Sequence, residues 1–334
     1  MRSSTVLNDA AGVAREPGPS SARRHALLGL LYIAMAGVIW GTIPLLMRAS
    51  DGASVVKVFY RVFWAGAAIW LWLVVTGRTR EVTRLPRRKI LQLMGQGAIL
   101  TVNWYLFLSA LDLTNVATAE LLGYTGPVFV ALFAPVVTRE KFDYRILLPL
   151  ALAMGGIVVI MVPQGIGLHG GGQTLGAVFA ALSAITFAVL LLRSKNILKG
   201  VSGMALMAVE YPLAAVLLLP FTVAAYVRGD GPTGAGSYAA LLVLGVVHTA
   251  IAGVIFLAGL RRNRTDRGSI LTYTEPVSAI VFAALFLGEP LTWATVLGGA
   301  MVVTGGVIVA LLGTHEASIE APEIGPDKVE VGAG

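Results

Sequence analysis

The chain has no cysteine, which excludes disulfide staples, thiolate metal sites and a cysteine nucleophile together. It has only four histidines in 334 residues, without any His-rich spacing, so the pattern offers no buried metal cluster. No HExxH and no Ser/His/Asp constellation is present, which argues against hydrolytic chemistry. Charge is scarce as well: 13% of residues are charged against 56% hydrophobic. Soluble domains carry roughly 25% charge, so this composition excludes a water-soluble fold and specifies a polytopic membrane protein.

What is present is a series of apolar runs. They cover Ala26 to Met47, Ser54 to Thr76, Ile90 to Leu111, Val116 to Thr138, Ile146 to Val162, Leu175 to Leu192, Gly203 to Val227, Tyr238 to Leu260, Ser269 to Leu287 and Leu291 to Leu312. Each is near the ~20 residues that a bilayer requires of a helix, so the expected fold class is an all-α integral membrane protein of about ten transmembrane helices. Met1 to His25 lacks the apolar core of a signal peptide and reads as a disordered cytoplasmic tail. The segment 313–334, with Glu316, Glu320, Glu323, Asp327 and Glu330, reads as an acidic cytoplasmic tail.

The net charge of +7 does not describe a nucleic-acid surface, because the cations cluster between the runs. Of the 25 Lys and Arg, 21 fall on the side that holds the N-terminus, two (Arg48 and Arg228) on the other, and Lys57 and Arg61 lie inside a run. Cytoplasmic loops retain cations, so both termini are expected in the cytoplasm and the protein in the cell membrane.

The runs repeat. At a constant offset of 149 residues, Leu122, Tyr124, Thr125, Pro127, Val128, Phe133, Ala134 and Glu140 match Leu271, Tyr273, Thr274, Pro276, Val277, Phe282, Ala283 and Glu289. Phe107, Leu108 and Leu111 continue the register to Phe256, Leu257 and Leu260. Five helices per copy is an odd number, so the second copy must enter the membrane inverted. The loops agree: Asp112 to Asn115 has no cation where its counterpart carries Arg261, Arg262, Arg264 and Arg267. The expected domains are residues 26–162 and 175–312 as two inverted five-helix repeats, joined by an extracytoplasmic loop at 163–174.

Trp40-Gly41, Arg61, Pro127 with its run to Glu140, Gly155-Gly156, Glu275-Pro276, Gly288-Glu289 and Gly305-Gly306 occur in order and at repeat spacing. In these features the chain resembles the EamA-type branch of the drug/metabolite transporter superfamily. The resemblance implies ten helices and transport of small metabolites, often export, without ATP hydrolysis.

Ionisable groups inside a span cost on the order of 2.5–3.5 kcal/mol each on insertion scales, so each needs a partner or an aqueous cavity. Arg61 and Glu120 lie at similar depth and are expected either to pair or to receive a carboxylate or phosphate; Lys57 snorkels or joins them. Asn103, Trp104, Tyr124 and Tyr273 offer hydrogen bonds and flat faces to an organic solute. Glu275, Glu210 and His248 are the coupling candidates, since a carboxylate in a span is what proton coupling uses. Glu140 and Glu289 read as anchors at the membrane edge. The expected function is a secondary active transporter, an exporter, of a small organic metabolite; an integral-membrane enzyme or a channel is the alternative. The expected partners are that metabolite, the lipid bilayer and a coupling proton; a homodimer is admissible, and no cofactor or nucleic acid is expected.

Overall fold

The computed structural model describes residues 19–139, 141–165, 171–288 and 290–319. Glu140, Glu289 and most of both expected tails lie outside the described residues. Ten long helical units follow one another: α1 (Pro19–Trp40, continued by Ile43–Ala49), α2 (Ser54–Val75), α3 (Arg87–Leu113), α4 (Val116–Gly123, continued by Gly126–Val137) and α5 (Leu147–Met161). The second half supplies α6 (Gly171–Ile197), α7 (Gly203–Val227), α8 (Gly234–Val243, Leu244–Ile251 and Ala252–Arg262), α9 (Thr265–Leu271, continued by Thr274–Leu287) and α10 (Trp293–Ile319).

The ends of α1 and α10 depart furthest from expectation, and α6 begins at Gly171, inside the loop expected at 163–174. α1 begins at Pro19, upstream of Ala26, and α10 runs to Ile319, past Leu312. An apolar run measures the thickness of the bilayer, whereas the backbone ladder continues into water for as long as the residues are good helix formers.

Among the described residues, nine of the units are long and apolar enough to cross a membrane; α3 is not one of them. Its 27 residues exceed the ~20 that a bilayer demands, but Gln96, Thr101 and Asn103 lie on its buried face. The amides of Gln96 and Asn103 are satisfied by α6, and the Thr101 hydroxyl by the Gly97 carbonyl of its own helix. The Gln96 amide donates to the Leu190 carbonyl at 2.9 Å and to Ser194 Oγ at 2.9 Å. Asn103 donates to the Ser183 carbonyl at 2.7 Å and to Thr186 Oγ1 at 2.9 Å.

The packing obeys the repeat. α5 lies on α10, α2 on α7 and α4 on α9, each helix against its own counterpart, while α3 on α6 is matched by α8 on α1. Close approaches follow the same rule. A Cβ on Gly156 would stand 2.5 Å from the Gly298 carbonyl, and the counterpart contact puts a Cβ on Gly305 2.7 Å from the Pro149 carbonyl. Glycine is required there because the two backbones touch.

Three spans are broken deep in the bundle, and each break carries Thr-x-Pro: Thr42-Ile43-Pro44, Thr125-Gly126-Pro127 and Thr274-Glu275-Pro276. Proline removes a backbone donor and ends the first segment. The threonine hydroxyl then bonds a carbonyl three residues back, Ile39 at 2.8 Å, Leu122 at 2.6 Å and Leu271 at 2.7 Å. Side-chain satisfaction of freed backbone groups is the condition for a broken helix inside a bilayer.

Candidate functional site

The breaks in α4 and α9 meet. Tyr124 and Tyr273, counterparts at the 149 offset, place their rings 6.3 Å apart, and the Tyr273 hydroxyl donates to the Tyr124 carbonyl at 2.6 Å. Beside this crossing stand the two carboxylates of the broken spans. Glu275 opens the second segment of α9, where the helix dipole favours an anion. It lies within Coulombic reach of Glu120 and of Arg61. Glu275 lies ten residues past the start of its span and Glu120 four past the start of its own, and both are half-buried, on the central space between the halves.

Arg61 projects from α2, seven residues in from Ser54, so its Cα is about 10 Å from the start of the helix. Its Nε donates to Thr249 Oγ1 at 2.7 Å, and its guanidinium lies over the Trp104 ring at 5.1 Å. Cation–π contact with tryptophan is the strongest of its kind. The two terminal amino groups of Arg61 donate to no described residue, and the side chain is half-buried. Arg61 thus keeps one edge of its fork open to the central space.

The partner of Arg61 comes from an unusual piece of backbone. Leu244–Ile251 of α8 is a π-helix, in which the Thr249 hydroxyl returns to the Leu244 carbonyl at 3.0 Å. Such wide turns are rare and cluster at functional sites. The turn also lends out its carbonyls: Trp40 Nε1 donates to His248 O at 2.8 Å, and the Tyr211 hydroxyl reaches Thr249 O at 3.4 Å.

The expected pair of Arg61 and Glu120 is not formed, because the α2 guanidinium turns to Thr249 and Trp104 on α8 and α3, and the carboxylate in its reach is Glu275. Lys57 does not join that group; its ammonium reaches to the face of the bundle and caps the last turn of α1 through the Met47 carbonyl at 2.9 Å and the Ser50 carbonyl at 2.6 Å. Asn103 faces α6 as described, and Tyr273 is wholly buried at 0% exposure, so these two hold helices together and do not line the open space. His248 is buried and meets Thr42 Oγ1 through Nε2 at 2.7 Å, fastening α8 to the break in α1. Glu210 is buried in α7 at the counterpart place of Arg61. Gly97 of α3 approaches the Glu210 carbonyl, a Cβ there standing 3.0 Å away, just as one on Gly245 of α8 would stand 3.0 Å from the Arg61 carbonyl. The structure therefore brings together Arg61, Trp104, Glu120, Tyr124 and Glu275. Among the described residues no group of three or more His, Asp or Glu is placed to hold a metal ion.

Polar clasps join the halves at the faces of the bundle. On the face at the start of α2, Asp51 accepts from the Thr233 amide at 2.8 Å and from the Thr233 and Ser237 hydroxyls. Those bonds, led by Ser237, hold Asp51 below the usual carboxylate range. On the opposite face Glu81 accepts from Ser202 Oγ at 2.5 Å. Partial burial pushes Glu81 up, but bonds from Ser202 and Arg78 outweigh it and leave the group below its ordinary value. On that second face lies also an ion pair, Arg267 to Asp143 at 3.0 Å, flanked by Arg264 to Asp266 at 2.8 Å.

A family model described as the EamA-like transporter family matches residues 27–162 and again residues 174–311. An uncharacterized transporter of Archaeoglobus fulgidus is 30% identical over 280 residues, 84% of this chain and 95% of its own. The uncharacterized transporter YxxF of Bacillus subtilis is 23% identical over 312 residues, 92% of this chain and 96% of its own. A solved crystal structure, 20% identical, superposes with a TM-score of 0.73 over 85% of this chain and 98% of that one.

Proposed function

Since the chain belongs to the EamA-like transporter family, we propose that this multi-pass membrane transporter is a secondary active carrier that exports a small organic metabolite by alternating access. Arg61 is the docking point for an anionic group of the solute, Trp104 and Tyr124 are its flat walls, and Glu275 is the coupling carboxylate, with Glu120 beside it. The observation that carries this reading is the open edge of Arg61. A guanidinium offers five donors in a planar fork; here Nε and one face of the plane are engaged while the terminal amino groups bond no described residue. A carboxylate or phosphate of the solute completes it with two parallel charge-assisted bonds. Glu275 competes for the same cation from α9, so a bound anion and a deprotonated Glu275 oppose each other. That opposition links solute binding to protonation.

The test uses proteoliposomes loaded with a mixture of carboxylate- and phosphate-bearing metabolites, followed by mass spectrometry of what leaves under a proton gradient. Wild-type protein releases a defined subset. Arg61→Gln loses that release, whereas Glu275→Gln keeps solute exchange but loses movement against a gradient. An Arg61→Gln carrier that exports the same subset at wild-type rate refutes the docking role. Unchanged accumulation by Glu275→Gln refutes the coupling role.

A further inference from the structure

The ion pair on the second face lies between the repeats. Asp143 belongs to the connection from α4 to α5, and Arg267 to the first turn of α9; their side chains are 9% and 4% exposed. The Arg145 amide also bonds Asp143, at 3.1 Å, and Arg264 ties Asp266 to the Lys141 carbonyl, which it meets at 2.6 Å. Four charges thus bind the start of α9 to the connection of the other half.

The counterparts of Arg267 and Asp143 at the 149 offset are Thr118 and Thr292, both uncharged. Burial is uneven in the same sense. Every residue of the first segment of α9, Thr265 to Leu271, is buried. Of the matching segment in α4, only Ala117, Thr118 and Ala119 are buried, and Glu120 to Gly123 are half-buried. The clasps at Asp51 and Glu81 do not share this imbalance, since each face has one carboxylate that accepts from serine.

We propose that the Asp143–Arg267 pair is a charged latch that closes the cytoplasmic face between α4 and α9, so that the resting carrier opens toward the extracytoplasmic face through the Glu120 side. The inference rests on the alternating-access reading and on the cation-rich face being cytoplasmic. The Asp51 and Glu81 clasps are the fixed side of the bundle, and the contact of α4 with α9 is the moving side. Opening inward requires both buried charges to separate, whereas the outward face lacks a charge at either counterpart position.

The absence of native cysteine makes the test direct. Single cysteines replace Leu122, half-buried, and its counterpart Leu271, buried, and are labelled with an impermeant maleimide in intact cells and in inside-out vesicles. Exposed Asp112 and Lys199, each changed to cysteine, report orientation separately: Asp112→Cys must label from outside and Lys199→Cys from inside, and the reverse sinks the topology rather than the latch. With orientation established, Leu122→Cys is expected to react from outside roughly fivefold or more faster than Leu271→Cys from inside, the lower end of usual coupling between two states. Asp143→Asn is expected to raise Leu271→Cys labelling and lower Leu122→Cys labelling, and the exchanged pair Asp143→Arg with Arg267→Asp to restore both. Equal wild-type rates at the two positions overturn the proposal. So do unchanged rates in Asp143→Asn, or an exchanged pair that labels like the single variant. Should Asp143→Asn fail to reach the membrane, the exchanged pair and the wild-type comparison decide.

Discussion

Replacing Tyr273 by phenylalanine removes one hydroxyl and nothing else from the crossing of α4 and α9. The Tyr124 carbonyl that loses its partner cannot fall back on the backbone: Pro127 has no N–H, and the Val128 N–H is already bonded to the Thr125 carbonyl at 2.9 Å. Interhelical hydrogen bonds inside membranes contribute about 0.6 kcal/mol on average and about 1.7 at most, because a released group usually finds another partner. Here the replacement is restricted, since residue 273 is fully buried and the phenyl ring closes the approach. The cost is therefore expected in the upper half of that range, about 1–1.5 kcal/mol, or roughly a 5- to 12-fold loss in the folding equilibrium. For a chain of this size the midpoint shifts by about 1–3 °C. The control is Tyr124→Phe, since the Tyr124 hydroxyl bonds no described residue and only its carbonyl takes part; it is expected within about 0.5 kcal/mol of wild type. Equilibrium unfolding in mixed micelles, followed by circular dichroism, measures both. A Tyr273→Phe protein as stable as wild type, or a Tyr124→Phe protein equally weakened, would refute the argument from the proline-freed carbonyl.

Gly156→Ala is expected to lower stability by about 1–3 kcal/mol, the usual cost of overpacking, because its Cβ falls 2.5 Å from the Gly298 carbonyl; Gly236→Ala, which meets nothing within 4 Å, is its neutral control in the same unfolding assay. Burial pushes Asp143 up, but the Arg145 amide and the Arg267 guanidinium, with help from Arg145, outweigh it and hold the group below the usual carboxylate range. Its folded pKa is thus lower than its unfolded one, so its stabilisation is complete above about pH 4 and is lost as pH falls through the folded value. Asp143→Asn should flatten that acid limb of the stability profile, and an unchanged limb would assign it to other carboxylates.

Much of the architecture is legible in the chain because the bilayer imposes it. Apolar runs of the right length, an offset of 149 between them and cations in alternate loops each reflect a solvent boundary that acts on every residue alike. Side-chain direction is different. Arg61 and Glu120 share a depth, yet depth does not fix which way a helix face points, and Arg61 points to Thr249. Trp104 could be placed beside Asn103 by sequence, but adjacent residues on a helix face different neighbours; Trp104 reaches the cation and Asn103 reaches α6. The Thr-x-Pro signature was present at three positions and marks every break of that kind, since the hydroxyl and the missing donor compensate each other locally. The π turn carries no such motif; its one trace is a change of register between the halves, from 148 to 149, which is legible only once Gly97 and Gly245 are seen to make equivalent contacts.

That turn records history in the numbering of the chain. Beyond it the halves keep step at 149, as Phe107 does with Phe256, but ahead of it the glycines that admit α7 and α2, Gly97 and Gly245, are 148 apart, and so are Thr101 and Thr249. Between these pairs α8 holds one residue more than α3, and the wide turn at Leu244–Ile251 is how a helix accommodates such a residue without rotating everything after it. The hydroxyls diverge at the same point: Thr101 still bonds the carbonyl four residues back, Gly97 at 2.9 Å, while Thr249 reaches back five to Leu244. α8 thus differs from its twin at the point where Thr249 meets the arginine of α2. Two copies of one ancestral unit ceased to be interchangeable, and the cation ended up on one of them only.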